Sequence, residues 1–308
     1  MDQKVASLLR SHEFIEDVAV QWQDDDMTAF VTLRKLAIEY YQGLAGMGDG
    51  FASQQVELWE TVFDAAVYPT IENNMRPEEI GRDFHGWISA YDGSLLGNTA
   101  MNEWLDDIIE TILCCNGQRL LDVLELGTGS GMMLFNLAKR LRSYIGIELT
   151  QAAVEFVTAI TKSMPELASK VLVRHGTATD LHLFASCSPD LVIINSVAQY
   201  FPSRDYLLKV VENTLALKGV LIIVFGDVRS YALEEEFFVS KALCKLGGNA
   251  SKEQVRQKVV EMSRAELELL IDPAFFTSLQ DRFPQLIEHV EILPKKMKEP
   301  GLGRRSTT

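Results

Sequence analysis

The sequence has few cysteines and histidines and no long apolar run. Its 308 residues include four cysteines and five histidines, with no CxxC pair and no spacing typical of zinc ligands. We therefore expect a reduced compartment and no metal. The most apolar stretches, LVIINSV and VLIIVF, are far shorter than the roughly 20 residues that a membrane helix needs. The charged N-terminus lacks the apolar core of a signal peptide. These features predict a cytoplasmic protein without a membrane partner.

Positive charge is also scarce. The chain has 29 Lys and Arg residues against 43 Asp and Glu residues, which gives a formal net charge of −14. Phosphate contacts need a basic face, so this balance argues against a nucleic-acid partner. With 47% hydrophobic and 23% charged residues, the composition is that of an ordinary globular protein.

Composition and periodicity divide the chain into four segments. Residues 1–33 indicate a helix and two short strands, a piece too small to bury its own core. Residues 34–53 end in glycines that are typical of a linker. Residues 54–297 begin with an amphipathic helix and form the main domain, and a polar tail covers 298–308.

From residue 120 onward, short apolar strands alternate with helices. Five strands are predicted, at LLDVLEL, YIGIEL, VLVRHG, DLVIINSV and VLIIVFGD. This alternation indicates βαβ units and a parallel sheet, and the low polarity suits strands that are covered on both faces. We predict an α/β, Rossmann-like, doubly wound fold with a small N-terminal α/β stub. In such sheets the ligand lies beyond the carboxyl ends of the strands.

A glycine-rich turn follows the first of these strands. Gly127, Gly129 and Gly131 are spaced GxGxG, and Met132 takes the place of the third glycine of the dinucleotide pattern. Glu125 precedes the turn, where a carboxylate suits a cationic or amine-bearing ligand and would repel a pyrophosphate. The turn therefore argues against a nicotinamide oxidoreductase. A simple tight turn is the structural alternative.

Acidic residues follow the next two strands. Glu148 ends the second strand, where a carboxylate can accept hydrogen bonds from both ribose hydroxyls. Asp180 lies just after the third strand, behind Ala178 and Thr179. Its carboxylate can accept a hydrogen bond from the exocyclic amine of an adenine, or it can cap the following helix. The residue pattern leaves both roles open.

Polar and aromatic residues follow the fourth strand. Asn195, Gln199, Tyr200 and Phe201 are typical of a pocket floor, although Tyr200 and Phe201 could instead be core residues of a helix start. Taken together, the strand ends describe a nucleoside site with a carboxylate in place of a phosphate-binding group. S-adenosylmethionine fits this description, because it has an adenosine and a methionyl amine but no phosphate.

The motifs closely resemble the N-methyltransferase domains of nonribosomal peptide synthetases, particularly the fungal ones. VLELGTGSGMMLFNL, SYIGIE, GTATD, NSVAQYFPSRDYL and HVEILPKKM occur in this order between about residues 55 and 297. The resemblance identifies a class I methyltransferase with motif I at Glu125 to Gly131, motif II at Glu148 and motif III at Asp180. Residues 1–33 look like the start of the C-terminal subdomain of an adenylation domain, which the methyltransferase interrupts in that family.

The resemblance implies S-adenosylmethionine as the cofactor. It also implies transfer of a methyl group to the α-amine of an aminoacyl thioester on a phosphopantetheine carrier domain. Near that amine, Asp227, Tyr200 and Asn195 are the catalytic candidates. Arg229 either pairs with Asp227 or faces the substrate arm. The expected cofactor-binding residues are Tyr91, Glu125, Gly127, Thr128, Gly129, Gly131, Glu148, Ala178, Thr179, Asp180 and Asn195.

The end of the sequence departs from the family pattern. In that family a last strand follows HVEILPKKM and inserts antiparallel into the sheet, whereas the tail EPGLGRRSTT is polar and too short for it. We therefore expect this strand to be missing and the edge of VLIIVF to be exposed. The alternatives to the main interpretation are a truncated, non-catalytic synthetase fragment and a stand-alone methyltransferase that acts on a small amine.

Overall fold

The chain forms two compact units, Met1–Gln54 and Gln55–Thr308. No helix among the placed residues is long and apolar enough to cross a membrane. The computed structural model describes residues 5–6, 9–10, 15–23, 26–33, 48–66, 76, 79–85, 87–184, 187–296 and 306–307.

The first unit contains an antiparallel hairpin. Strand β1 (Ile15–Gln23) pairs with β2 (Asp26–Leu33), and these are the two strands predicted within residues 1–33. Helix α1 (Gly48–Ala66) begins ahead of its predicted start near residue 54, so residues 48–53 of the expected linker are helical. Residues 34–47 lie outside the described residues.

The second unit contains a five-stranded sheet between helices. Its strands are β3 (Leu121–Leu126), β4 (Leu141–Glu148), β5 (Val171–His175), β6 (Leu191–Asn195) and β7 (Ile222–Gly226). Two short strands, β8 (Val228–Arg229) and β9 (Ser306–Thr307), pair with each other. The helices are α2 (Asn98–Asn116), α3 (Met132–Leu137), α4 (Gln151–Ser163), α5 (Pro165–Ala168), α6 (Arg204–Leu215), α7 (Glu234–Leu246), α8 (Lys252–Arg264) and α9 (Pro273–Arg282).

The strand order is β5-β4-β3-β6-β7, and every neighbouring pair is parallel. The winding direction reverses between β3 and β6, because β4 and β5 lie on one side of β3 while β6 and β7 lie on the other. This arrangement confirms the predicted α/β doubly wound fold. It also places the switch point, where such sheets bind ligands, beside the glycine-rich turn.

Both faces of the sheet are covered by helices. Leu191 and Ile193 of β6 pack in the core layer that contains α2, whereas Val192 and Ile194 pack in the layer that contains α6. All residues of β6 are buried, as the continuous apolar run predicts for a central parallel strand. The two packed layers hold the strand ends in fixed positions.

Strand β7 is the edge of the sheet within the described residues. Residues 289–293, which contain HVEIL, form no strand, and no antiparallel strand joins the sheet among the described residues. Ile222–Phe225 are nevertheless only half-exposed. The ring of Phe276 in α9 lies 5.0 Å from that of Phe225, so an aromatic contact covers part of this edge.

Candidate active site

A cavity of about 1020 Å³ lies at the carboxyl ends of the sheet strands. The loops after all five strands contribute to its wall, together with residues between 83 and 93. Three of the predicted site residues, Gly131, Thr179 and Asp180, do not line it. The predicted site residues that do line it are Tyr91, Glu125, Gly127, Thr128, Gly129, Glu148, Ala178, Asn195, Tyr200 and Asp227.

The glycine-rich turn after β3 needs its glycines for two reasons. Gly127, Gly129 and Gly131 have φ values of +81°, +56° and +85°, a conformation that L-amino acids with a side chain rarely adopt. A Cβ atom on Gly127 would also lie 2.2 Å from Cγ2 of Val197, and one on Gly131 would lie 2.5 Å from the ring of Phe135. Gly131 therefore shapes the turn without lining the cavity.

Glu148 at the end of β4 holds this turn in place. Its Oε2 accepts the Gly129 N–H at 2.8 Å, and its Oε1 accepts the N–H and the hydroxyl of Thr150, each at 3.0 Å. Burial raises the pKa of Glu148, and the hydrogen bonds from Gly129 and Thr150 partly offset this effect. A carboxylate has about four lone-pair sites, so the group retains acceptor capacity on the cavity wall.

Glu125 lies deeper and is only 2% exposed. Its Oε2 accepts the hydroxyl of Tyr144, which is also 3.3 Å from Oγ1 of Thr128. Burial raises the pKa of Glu125 to about 8, against the lowering effect of the Tyr144 hydrogen bond. Gly146 faces Glu125 across the β3–β4 pair, and a Cβ atom there would lie 2.2 Å from Oγ1 of Thr128 and 3.1 Å from the Tyr144 ring. The glycine therefore leaves room for both side chains beside Glu125.

The ends of β6 and β7 carry backbone strain. Ser196 and Asp227, both at φ +56°, are the non-glycine residues with positive φ in the described part of the chain. The Ser196 hydroxyl donates to Oδ2 of Asp227 at 2.7 Å. Beside them, Oδ1 of Asn195 is buried without a hydrogen-bond partner among the described residues. Such strain and unsatisfied polar groups concentrate at functional sites.

Tyr200 belongs to an aromatic cluster. Its ring centroid lies 4.7 Å from that of Trp59 and 5.2 Å from that of Phe63, both in α1. Tyr200 and Phe201 both line the cavity. Phe201 is also 5% exposed and its ring packs 5.1 Å from that of Tyr206, so this residue combines a core position with a place on the cavity wall.

Asp180 makes a local contact at the start of a 3₁₀ helix, Asp180–Phe184. Its Oδ2 accepts the N–H of Thr177 at 2.7 Å and the Thr177 hydroxyl at 2.8 Å. The Thr179 hydroxyl lies 2.9 Å from that of Thr177. These bonds go back to the turn before the 3₁₀ helix and not to N–H groups of the helix, so helix capping by Asp180 stays a prediction. Of the predicted residues Ala178, Thr179 and Asp180, Ala178 lines the cavity. An adenine contact of Asp180 stays a prediction.

Arg229 does not pair with Asp227. Its guanidinium forms salt bridges with Glu266, at 3.0 Å, and with Glu268, and it lies 5.5 Å from the centre of the Phe237 ring. Arg229 and Glu268 line the cavity. The two glutamates lie far along the sequence from Arg229, which is why the spacing suggested Asp227 as its partner.

Tyr91 extends from its loop toward α7. Its ring lies 5.9 Å from that of Phe237, and its hydroxyl is 3.4 Å from Oγ of Ser240. Tyr91 thus lies on the cavity wall, and its contact with the cofactor stays a prediction. Trp87 lines the cavity as well, with its ring 4.8 Å from that of Trp104.

Sequence reasoning missed several cavity residues, including Asp83, His85 and Trp104. The Asp-x-His spacing was a visible signal, but its position beside the glycine-rich turn depends on packing between distant segments. The described residues contain no group of three or more His, Cys, Asp or Glu side chains that could hold a metal ion.

The site residues fit a nucleoside with a cationic methionyl group. Glu148 retains about one acceptor site for a ribose hydroxyl, Glu125 offers a buried carboxyl group, and Asn195 has an unsatisfied side-chain oxygen. A family model described as "Methyltransferase domain" matches residues 118–287. The chain belongs to this family and is a methyltransferase whose cofactor is S-adenosylmethionine.

Curated relatives with high coverage are fungal nonribosomal peptide synthetases. The chain is 49% identical over 302 residues to the peramine synthetase of Metarhizium rileyi, which covers 96% of this chain and 10% of that protein. It is 45% identical over 294 residues to the beauvericin nonribosomal cyclodepsipeptide synthetase of Gibberella fujikuroi, covering 96% of this chain and 9% of that protein. The chain thus spans 10% or less of the length of these relatives.

Solved methyltransferases are similar at lower identity. The magnesium protoporphyrin IX methyltransferase of Synechocystis is 9% identical, with a TM-score of 0.47, over 77% of this chain and 92% of that protein.

Proposed function

We propose that this chain is an N-methyltransferase that methylates the α-amine of a carrier-bound aminoacyl thioester during nonribosomal peptide synthesis. The observation that carries the proposal is the similarity to synthetases along 96% of the chain, at 42% to 50% identity for relatives such as those of Metarhizium majus and Beauveria bassiana. A small-amine enzyme would not need this context, so the main proposal is favoured over the stand-alone alternative.

Residues at the strand ends would hold the cofactor. In this proposal Glu148 accepts the ribose hydroxyls, and Glu125 lies on the side of the methionyl amine. The glycine-rich turn brings the backbone close to the ligand, and Ala178 contacts the adenine. Bound S-adenosylmethionine supplies the electrophilic methyl group.

The protein's contribution is to orient the amine for in-line attack on that methyl group. Asp227 and Asn195 line the cavity at the ends of β7 and β6, where they can accept hydrogen bonds from the amine. The side-chain oxygen Oδ1 of Asn195 lacks a hydrogen-bond partner among the described residues, which makes it a suitable acceptor. Tyr200 would contribute the aromatic wall beside them.

The proposed partner is a carrier domain bearing a phosphopantetheine arm. Lys241 and Lys245 of α7 line the cavity, and ammonium groups there suit the phosphate of that arm. The same proposal makes residues 1–33 the start of an interrupted adenylation subdomain and residues 54–297 the methyltransferase domain. A cytoplasmic location, where the free thiols would stay reduced, belongs to it as well.

Mass spectrometry of reaction products tests the proposal. The chain is incubated with S-adenosylmethionine and an aminoacylated carrier domain, with the free amino acid in a parallel reaction. We expect one methyl group on the α-nitrogen of the carrier-bound residue. Faster methylation of the free amine would favour the stand-alone alternative. Cofactor binding without methylation of either substrate would favour the non-catalytic alternative.

A further inference from the structure

Asp83 and His85 form a hydrogen-bonded pair on the cavity wall. Oδ1 of Asp83 accepts the main-chain N–H of His85 at 3.1 Å and also contacts Nδ1 of the His85 ring. Both residues line the cavity. The Asp83 side chain is 1% exposed, whereas the His85 side chain is 35% exposed. The pair therefore joins a buried carboxylate to a ring that can meet a ligand.

The partner of Nδ1 determines what the other ring nitrogen can do. An ionised carboxylate only accepts hydrogen bonds, so Nδ1 of a neutral His85 ring carries the proton that contacts Asp83. The lone pair then resides on Nε2. Within the described part of the chain, Asp83 is the sole side-chain partner of the His85 ring. Nε2 is therefore available to take a proton from a ligand in the cavity.

Asp83 is also well placed to orient this ring. Its second oxygen, Oδ2, is buried and has no hydrogen-bond partner among the described residues. A buried carboxylate is costly unless a cation lies beside it. The contacts of Asp83 with the main-chain N–H and Nδ1 of His85 hold the ring in one orientation, as the aspartate of a catalytic triad does for its histidine.

Packing fixes this pair beside the glycine-rich turn. Nδ2 of Asn136 donates to the carbonyl oxygen of Gly81 at 2.7 Å, and a Cβ atom on Gly81 would lie 2.8 Å from Cβ of Phe135. Both partners belong to α3, which starts directly after the turn. On the other side, the Arg82 guanidinium binds Asp106 of α2. The segment that carries the pair is thus held from two sides.

We propose that His85 is the general base that deprotonates the amine of the methyl acceptor, with Asp83 as its positioning residue. This inference rests on the proposed function. An amino group is largely protonated near neutral pH and then lacks the lone pair that must attack the methyl carbon. Histidine is the side chain whose protonation changes most readily in this pH range.

Nε2 of His85 takes one proton from the substrate ammonium group, which leaves a neutral amine. The amine nitrogen uses its lone pair to form a bond to the methyl carbon, while the bond between that carbon and sulfur breaks and its electrons stay on sulfur. The products are a protonated secondary amine and S-adenosylhomocysteine. The half-exposed His85 ring then releases its proton to solvent.

The other candidates are less suited to remove a proton. The carboxylate of Asp227 already accepts the Ser196 hydroxyl at 2.7 Å, and the amide of Asn195 does not take up protons. The Tyr200 ring packs among Trp59 and Phe63. These residues can orient the amine, whereas His85 can take its proton.

Kinetics with a small thioester probe test the inference. An aminoacyl N-acetylcysteamine thioester serves as the methyl acceptor, and calorimetry with S-adenosylhomocysteine measures the cofactor site independently of turnover. We expect His85→Gln to lower kcat by about 100-fold or more with nearly unchanged S-adenosylhomocysteine affinity. Asp83→Asn should lower kcat by about tenfold without raising KM, since it acts through the ring orientation. His289→Gln, an exposed histidine outside the cavity, is the matched control and should keep wild-type rates.

Chemical rescue separates a base from a structural residue. Added imidazole should restore the kcat of His85→Ala by about tenfold, because a free base can occupy the space that the ring leaves. A wild-type chain that methylates the thioester while His85→Gln retains its kcat would overturn the inference and leave the proposed function intact. Loss of kcat together with S-adenosylhomocysteine affinity, without imidazole rescue, would also overturn it. A wild-type chain that methylates no amine would contradict the proposed function and, with it, the role of His85.

Discussion

Two buried carboxyl groups at neighbouring strand ends differ in their surroundings. Glu148 accepts three hydrogen bonds, from Gly129 and Thr150, that partly offset its burial. Glu125 accepts the hydroxyl of Tyr144, and burial raises its pKa to about 8. We infer that Glu148 is built to hold neutral hydroxyls, whereas Glu125 becomes a favourable anion when a cation lies beside it.

The pKa of Glu125 predicts a pH-dependent stability. In the folded chain this group keeps its proton up to about pH 8, whereas the reference value is 4.5. Its contribution to the free energy of unfolding is therefore complete below pH 4.5 and declines as pH rises toward 8, at most by about 1.4 kcal/mol per unit. Glu125→Gln removes this dependence. Urea unfolding of both proteins across this range should show wild type losing stability relative to the variant, and a constant difference would contradict the assignment.

Glu148 offers a prediction on ligand affinity. Glu148→Ala should weaken S-adenosylhomocysteine binding by about 1–3 kcal/mol, because the ribose hydroxyls lose a charged acceptor. Glu148→Gln keeps an acceptor for Gly129 and serves as the matched variant, with a smaller expected loss. Calorimetric titration measures both affinities. Equal affinities for wild type and Glu148→Ala would remove this residue from the ribose site.

Among the structural elements, the glycine-rich turn connects strand β3 to the cavity wall. Gly127 combines positive φ with a close approach to Val197, whereas Gly117 has positive φ with open space around it. Gly117→Ala should cost about 1–2 kcal/mol from backbone strain alone. Gly127→Ala should cost about 1–3 kcal/mol more, because Val197 must move. Urea unfolding measures the free energy of unfolding of both variants. Equal losses would contradict the prediction, because they would mean that Val197 moves aside without cost.

Arg229 connects β8 to the segment before α9. Its guanidinium is 8% exposed and binds Glu266 and Glu268. Arg229→Met should lower the free energy of unfolding by about 3 kcal/mol, because it leaves two carboxylates without their cation. Arg282→Met is the control, since Arg282 is half-exposed in its pair with Glu212 and should cost less than about 1 kcal/mol. Denaturant unfolding measures the loss of stability for each variant. Similar losses for both variants would contradict a stabilising role of the buried ion pairs of Arg229.

For the whole molecule, the fold could be predicted from the sequence, but only part of the site could. The five strands and their parallel sheet follow from local apolar runs, because the central strands such as β6 are covered on both faces. The edge strand β5 departs from this expectation, since its Leu172 is 43% exposed. The glycine turn and Glu148 could be predicted because strand ends meet at one edge. The Arg229 partners and the Asp83–His85 pair could not, because they depend on how distant loops pack.

The geometry of the cavity suits S-adenosylmethionine and not a dinucleotide. Thermal unfolding of the chain, with S-adenosylhomocysteine and separately with NAD, measures this preference. A ligand at about 100 times its dissociation constant should stabilise the folded chain by about 2.7 kcal/mol. We predict a rise in Tm with S-adenosylhomocysteine and none with NAD, because Glu125 and Met132 replace the features of a pyrophosphate site. An unchanged Tm with S-adenosylhomocysteine, or an equal rise with NAD, would contradict the account.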